Sequence, residues 1–442
     1  MKQADPLSVE NSVTKTKFWL CVVSLTLLSP AWALAQGRAS ALTQPLGSLN
    51  KAERALLAPL LERGPVTLVE FAKKGDLPGI VIASYVDAPA DLTAAVIANP
   101  GAYPKFMRTL DSVEVLSKTA NHISYKWSFQ TGLLSLEGEN SMTVLPPREG
   151  HPETGHRISV KSERGQLGEG RMVWRVFPLT AKRSLAVLSM RLDMRDANFI
   201  MQRLDAAAQS VNRSVNIALS HVMLLGTKRE AERRAGHHWS PAAVVPFDAP
   251  SVDVKRMQTL LKRADLLSME ITADGIGKLS VVGRTGAELA QLSRVMREPE
   301  IFGKSLVPGS YARVKKRSDK SKTFEWGINL PLIGSSGTMK MTDYGSLLAI
   351  DAIDGAMKGG RWRFTTPTLP TGEAVVVGFS RFDITKSTWL IEKIASVDPM
   401  MGHGLAAATQ VMMLRALRKR TRLEAEAAAK AGRTTKEVAL TP

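Results

Sequence analysis

His122, Glu137 and Glu139 are the side chains whose types could do acid–base chemistry inside a pocket, because a buried imidazole or carboxyl with a shifted pKa can trade a proton near neutrality. The aromatic residues around them suggest a different use. Tyr125, Trp127 and Phe129 alternate with Ser124, Lys126 and Ser128, so an extended strand puts the three rings on one face. Phe324, Trp326 and Ile328 repeat that alternation. Met172, Trp174 and Val176 make a second row, and Trp362 with Phe364 stand at the matching place later in the chain. Such rows either line a cavity for an apolar molecule or fill a core. The candidate ligand contacts in the first half are Tyr125, Trp127, Phe129, Met172, Trp174, Met190 and Met201. Those in the second half are Phe324, Trp326, Trp362 and Phe364. Methionines and leucines on the terminal helices, among them Leu204, Met223, Leu224, Met412, Met413 and Leu417, could adapt to an irregular ligand.

Other chemistries find little support. No Gly-x-Ser-x-Gly elbow is present, and Gly334-Ser335-Ser336-Gly337 reads as a hairpin turn. The seven histidines include His151 and His156 near Glu149 and Glu153, and His237 with His238, but none has metal-site spacing. Glycine-rich phosphate loops are absent, so no cofactor and no metal is expected. The single cysteine, Cys21, lies in an apolar N-terminal run, which leaves no thiol chemistry and no disulfide for the rest. Arg191 with Asp193, and Arg381 with Asp383, sit two apart on one strand face; the opposite face (Ala186, Leu188, Met190) is apolar and expected to be the buried one. These readings argue against an enzyme, with a cyclase or hydrolase acting through His122, Glu137 or Glu139 as the alternative.

The elements that must position these rows begin with an export signal. Lys15 and Lys17 precede the apolar run Phe18 to Leu28, Pro30 breaks it, and Ala33-Leu34-Ala35 has the small residues a signal peptidase requires. Cleavage before Gln36 and a periplasmic or exported location are expected, with an uncleaved N-terminal anchor as the alternative. The net charge of +18 favours anionic partners. Export makes that partner a membrane surface and no nucleic acid. Basic helix ends at Lys228, Arg229, Arg233 and Arg234, and at Arg415, Arg418, Lys419, Arg420 and Arg422, could meet an anionic leaflet.

Comparing the chain with itself reveals a repeat. Leu60, Leu61, Arg63, Glu70 and Gly75 recur 200 positions later as Leu260, Leu261, Arg263, Glu270 and Gly275. Pro100, Lys105 and Trp127 recur 199 later, and Leu179, Val187, Arg191 and Asp193 recur 190 later. Val222 to Leu225 match Val411 to Leu414 at a shift of 189. The order is kept throughout, as in one domain duplicated and diverged.

Each copy reads as an amphipathic helix (Lys51 to Glu62; Val252 to Arg263), a strand (Ile80 to Val86 in the first), a helix at Ala90 to Ala98 and a turn with Tyr103, Pro104 and Phe106. Six alternating segments follow as consecutive hairpins, and a long helix from Asn198 to about Arg234 closes the copy. The stretch Ile82 to Val115 carries a strand ending at Ala88-Pro89, a helix, and the turn Asn99-Pro100 to Tyr103-Pro104-x-Phe106. It resembles the START-like, polyketide-cyclase/coenzyme Q-binding (SRPBCC, helix-grip) superfamily. The second copy departs from that pattern, with Gly286-Ala287 in place of Ala88-Pro89 and Arg297 to Phe302 in the turn.

The expected fold is therefore α+β, two tandem helix-grip domains, each a curved antiparallel sheet wrapped around a long C-terminal helix. The expected boundaries are a signal peptide at 1–35, domain one at 48–235, a linker at 236–250, a divergent domain two at 251–428 and a disordered tail at 429–442. The resemblance implies a closed hydrophobic cavity that holds a lipid, sterol, quinone or polyketide-like molecule, and it implies no universal catalytic residue. A periplasmic carrier is the reading these residues favour; the alternatives are an enzyme on an apolar substrate and a non-binding envelope scaffold.

Overall fold

A computed structural model describes residues 41–72, 77–131, 134–194, 197, 210–238, 243–250, 252–306, 309–330 and 333–439. The segment expected to be a signal peptide (1–35), Gly75, Met201 and Leu204 lie outside the described residues. The first helix, α1 (Lys51–Leu61), starts where Asn50 accepts a hydrogen bond from Glu53 N at 2.9 Å while Glu53 accepts one from Asn50 N at 3.0 Å. This reciprocal cap satisfies two amides that the first turn leaves without partners.

The first copy continues through β1 (Val66–Glu70), β2 (Ile80–Val86), α2 (Ala90–Ile97), β3 (Leu110–Lys118), β4 (His122–Thr131) and β5 (Leu134–Leu145). It ends with β6 (His156–Gly165), β7 (Glu169–Thr180), β8 (Arg183–Asp193) and the long helix α3 (Ser210–Arg234). The second copy opens with α4 (Gln258–Leu261), β9 (Ala264–Thr272), β10 (Gly275–Glu288), α5 (Leu289–Arg297) and α6 (Pro299–Gly303). Strands β11 (Tyr311–Arg317), β12 (Ser321–Leu330), β13 (Ile333–Asp343), β14 (Leu347–Gly355), β15 (Arg361–Thr365) and β16 (Glu373–Arg381) follow. Helices α7 (Trp389–Val397) and α8 (Pro399–Ala439) complete it.

The sixteen strands form one antiparallel sheet in the order β11-β12-β13-β14-β15-β16-β10-β9-β1-β2-β8-β7-β6-β5-β4-β3. The copies join where β1 pairs with β9, and Thr67 stands opposite Leu267 in that pairing. Leu267 is the residue 200 positions after Thr67, its own counterpart in the repeat. A strand pair in which a residue faces its counterpart has a local two-fold axis through that pair, the geometry of a symmetric dimer.

Alternation along β1 sends its side chains to two cores. Val66 and Leu68 meet Leu57, Leu60 and Leu61 of α1 with Leu260, Leu261 and Leu266 of the second copy, a seam core shared by both copies. Thr67 faces the other way, its hydroxyl 3.4 Å from Nε2 of His221 on α3. The terminal helices α3 and α8 also pack on each other. Gly404 makes this approach possible, because a Cβ there would stand 2.5 Å from Ala218 Cα.

Four expectations change. Strands β1 and β9 were not anticipated, and they make the junction. The opening helix of the second copy is confined to Gln258–Leu261, because Asp253 Oδ1 accepts from the amides of Lys255 and Arg256 (both 3.1 Å) and holds a turn where the helix would begin. The last helix runs to Ala439, where disorder was expected from 429. Arg191 and Asp193 are buried (7% and 2% exposed), because residues before α1 cover that face: Ser189 Oγ donates to Gly47 O at 2.6 Å and Arg171 donates to Leu42 O at 3.1 Å. Residues 243–250 of the connector carry no helix or strand and are docked: Val245 is buried, Phe247 packs edge-on to Phe379 and Asp248 pairs with Lys278 at 2.7 Å.

Candidate functional site

The pattern of β4 decides what faces inward. Ile123 and Tyr125 are buried while His122 is exposed, so Trp127 and Phe129 follow Tyr125 onto the concave face. On the neighbouring β5, Met142 is buried, and the same alternation carries Asn140 and Gly138 inward. Gly138 lies opposite Trp127, and a Cβ there would come within 2.6 Å of the indole. The missing side chain is what lets the ring lie flat against the sheet. Gly337 stands opposite Trp326 in the second copy in the same way, its Cβ position 3.2 Å from Nε1.

A cavity opens beneath this row in the first copy, with an empty volume of about 810 Å³ counted with its mouth. Tyr125, Trp127, Phe129, Met172 and Met190 line it, together with Leu219 and Met223 of α3. Trp174 does not: it is 1% exposed and packs among Ile158, Leu188 and other residues of the core. The polar part of the lining is Ser162, the cationic Arg171 and Arg191, and one neutral pair. Asn140 Nδ2 donates to Tyr125 Oη at 3.1 Å, and burial pushes the Tyr125 phenol up to about 12. Tyr125 therefore keeps its proton at neutral pH and can donate it to a ligand, while Asn140 supplies an amide oxygen. Tyr103 also lines the cavity, but its hydroxyl is spent on Ile97 O at 2.5 Å.

The second copy is more nearly filled. Its cavity has an empty volume of about 430 Å³, lined by Phe364, Phe302, Met296, Met413, Leu417 and their neighbours. Phe324, Trp326 and Trp362 are buried in the core beside it and do not line it, and Trp362 stacks on Phe382 at 5.2 Å.

The acid–base candidates are not in either cavity. Glu137 is exposed beside Lys126 at 3.5 Å, and Glu139 pairs with Arg164 at 2.8 Å. Both stand on the outward positions of β5, as His122 does on β4. Among the described residues no three His, Cys, Asp or Glu side chains gather as a metal site. The basic helix ends are internally paired as well. Arg415 and Arg418 hold the fully buried Asp265 at 3.1 and 2.5 Å, Arg420 meets Glu424 at 2.5 Å, and Arg422 meets Glu426 at 3.6 Å. In the first copy Lys228 pairs with Glu232, and Arg233 and Arg234 pair with Glu230 at 2.8 and 2.7 Å.

Asn140 is the site residue the sequence reading missed. The signal was available: stepping back by two from an apolar Met142 reaches Asn140 and Gly138 and leaves both glutamates outside.

Residues 86–217 match the family model described as polyketide cyclase / dehydrase and lipid transport. The match falls within the first copy and agrees with the resemblance carried by Ile82 to Val115. A search among curated proteins returned no match. Among solved structures, the chain is similar to the Zhui aromatase/cyclase from Streptomyces sp. R1128, at 21% identity over 36% of this chain and 98% of that one, TM-score 0.30. It is similar to the di-domain ARO/CYC StfQ from the steffimycin biosynthetic pathway, at 10% identity over 78% and 99%, TM-score 0.28. A STAR-related lipid transfer protein from Xanthomonas axonopodis is 11% identical over 42% and 98%, TM-score 0.31. The chain is α+β, two copies of one strand-and-helix order joined in a single antiparallel sheet, and the family match falls in the first copy.

Proposed function

We propose that this chain is a carrier that holds one mainly apolar molecule in the cavity of its first copy, and that the molecule bears a hydrogen-bonding group for the Tyr125–Asn140 pair. The observation that carries the reading is the first copy's cavity, walled mainly by aromatic, methionine and leucine side chains, with the Tyr125–Asn140 pair, Arg171 and Arg191 also on its lining. Burying apolar ligand surface contributes about 25 cal/mol per Å², so binding needs no covalent step. A phenol held neutral donates a hydrogen bond to a hydroxyl, ketone or quinone oxygen and is no base near neutrality, which favours holding over turnover. The N-terminal charge, apolar run and Ala33-Leu34-Ala35 support export to the periplasm.

Native mass spectrometry of the protein purified from its own type of envelope, followed by solvent extraction, tests this. An apolar molecule released at one per chain supports the carrier. A protein that emerges empty and also takes up no fluorescent lipid or quinone probe moves the assignment to a scaffold. Conversion of an added polyketide-like substrate, lost in Tyr125→Phe while binding persists, moves it to a cyclase.

A further inference from the structure

Phe129 on β4 and Leu219 on α3 line the first copy's cavity, and both have a second set of neighbours. They pack against a buried cluster in which Ala218, Val222 and Leu225 of α3 meet Met400 and Met401 of α8, with Ile394 of α7 beside them. Helix α7 comes close to β4 as well. The corner between α7 and α8 is fixed: Asp398 is 2% exposed, and its carboxylate accepts from Met400 N at 2.9 Å. The Gly404–Ala218 approach then holds α8 hard against α3. Part of the first copy's cavity wall is therefore backed by side chains of the second copy.

We propose that the α7–α8 corner of the second copy determines which ligands the first copy accepts, Ile394 and Met401 setting how far an apolar body can press past Phe129 and Leu219. The proposal rests on the carrier reading. A side chain with close-packed atoms behind it cannot yield to a ligand, whereas one backed by a void can. Shortening the backing residues creates that void without touching the cavity surface itself.

The test uses the full chain and displacement of N-phenyl-1-naphthylamine by the series of primary alcohols from hexanol to octadecanol. In Met401→Ala and Ile394→Ala the best-bound alcohol should lengthen by about two methylenes, as the added space would accommodate. Met401→Phe, which fills the corner, should shift the optimum the other way and serves if the alanine variants fail to fold. Val295→Ala, a truncation in the second copy's own core, should leave the optimum unchanged. An unchanged optimum in the corner variants, with the alcohols still bound, overturns the proposal. If the unsubstituted chain takes up neither probe nor alcohol, the carrier reading is what fails.

Discussion

Arg63 reaches Glu270 across the seam at 2.9 Å, and the bond has a counterpart: Arg263, 200 positions after Arg63, reaches Glu70 at 3.2 Å from the other side. Each arginine thus pairs with the other copy's glutamate, the reciprocal pattern of a two-fold interface. The two glutamates are not equivalent in energy. Glu70 also has Arg191 at 3.9 Å, yet burial outweighs these cations and holds its carboxyl above the usual range. Glu270 is the 3.1 Å partner of Lys278, which has no solvent exposure.

Glu270→Gln is therefore expected to destabilise by about 1–3 kcal/mol, because it leaves the buried Lys278 ammonium with Asp248 as its remaining counter-charge and takes the carboxylate from Arg63. Glu70→Gln removes a carboxylate that burial already disfavours and should stay within about 1 kcal/mol of the unsubstituted chain. Urea unfolding of the two variants checks the asymmetry; equal losses would show that Asp248 alone suffices for Lys278.

Acid should loosen the junction of α3 and α8 before it unfolds the sheets. His221 and His403 are buried there, and burial lowers each from 6.5 to about 4, the Arg229 cation adding to the effect on His403. His221 holds Ile217 O at 2.9 Å through Nδ1 and faces Thr67 through Nε2. Unfolded chains take up protons on these rings first, so the stability they confer is complete above pH ~6.5 and is lost as pH falls toward ~4. The full loss for either ring is on the order of 3 kcal/mol. Urea midpoints measured at pH 7 and 4.5 should fall together with hydrogen-exchange protection in 210–234, and His403→Leu should flatten the profile.

Tyr125→Phe should separate polar recognition from apolar burial. Loss of one hydrogen bond to a ligand hydroxyl predicts a roughly tenfold weaker Kd for a long-chain alcohol, about 1.4 kcal/mol, and no change for the matching hydrocarbon. Equal loss for both would mean that the ring packs against the ligand and its hydroxyl takes no part.

Gly138→Val should drive the Trp127 indole off the sheet and into the cavity, since even a Cβ falls within 2.6 Å of it. Overpacking of this kind costs about 1–3 kcal/mol. Binding should drop by more than thermal stability does, read by probe titration alongside melting.

How much of this was legible beforehand follows from where each signal resides. The rows at Tyr125 to Phe129 and Phe324 to Ile328 were readable because strand alternation is local, and the duplication was readable because it keeps order. The pairing of β1 with β9 was not. Val66–Glu70 has five residues, and its partner across the junction lies 194 to 202 positions away. The inward direction of Asn140 was readable from Met142, but the chemical appeal of the two adjacent glutamates obscured it. The burial of Arg191 was hidden for a further reason: its cover comes from a segment before α1 that has no periodicity of its own.

The seam between β1 and β9 also fixes what the two copies are free to become. In a pair of identical subunits every substitution appears twice, so a change that fills one cavity fills both. Joined in one chain at a constant one-to-one ratio, and immune to dilution, the halves answer to separate codons. One can keep its hollow while the other solidifies into a brace. The cavities of about 810 and 430 Å³ are that division of labour in material form.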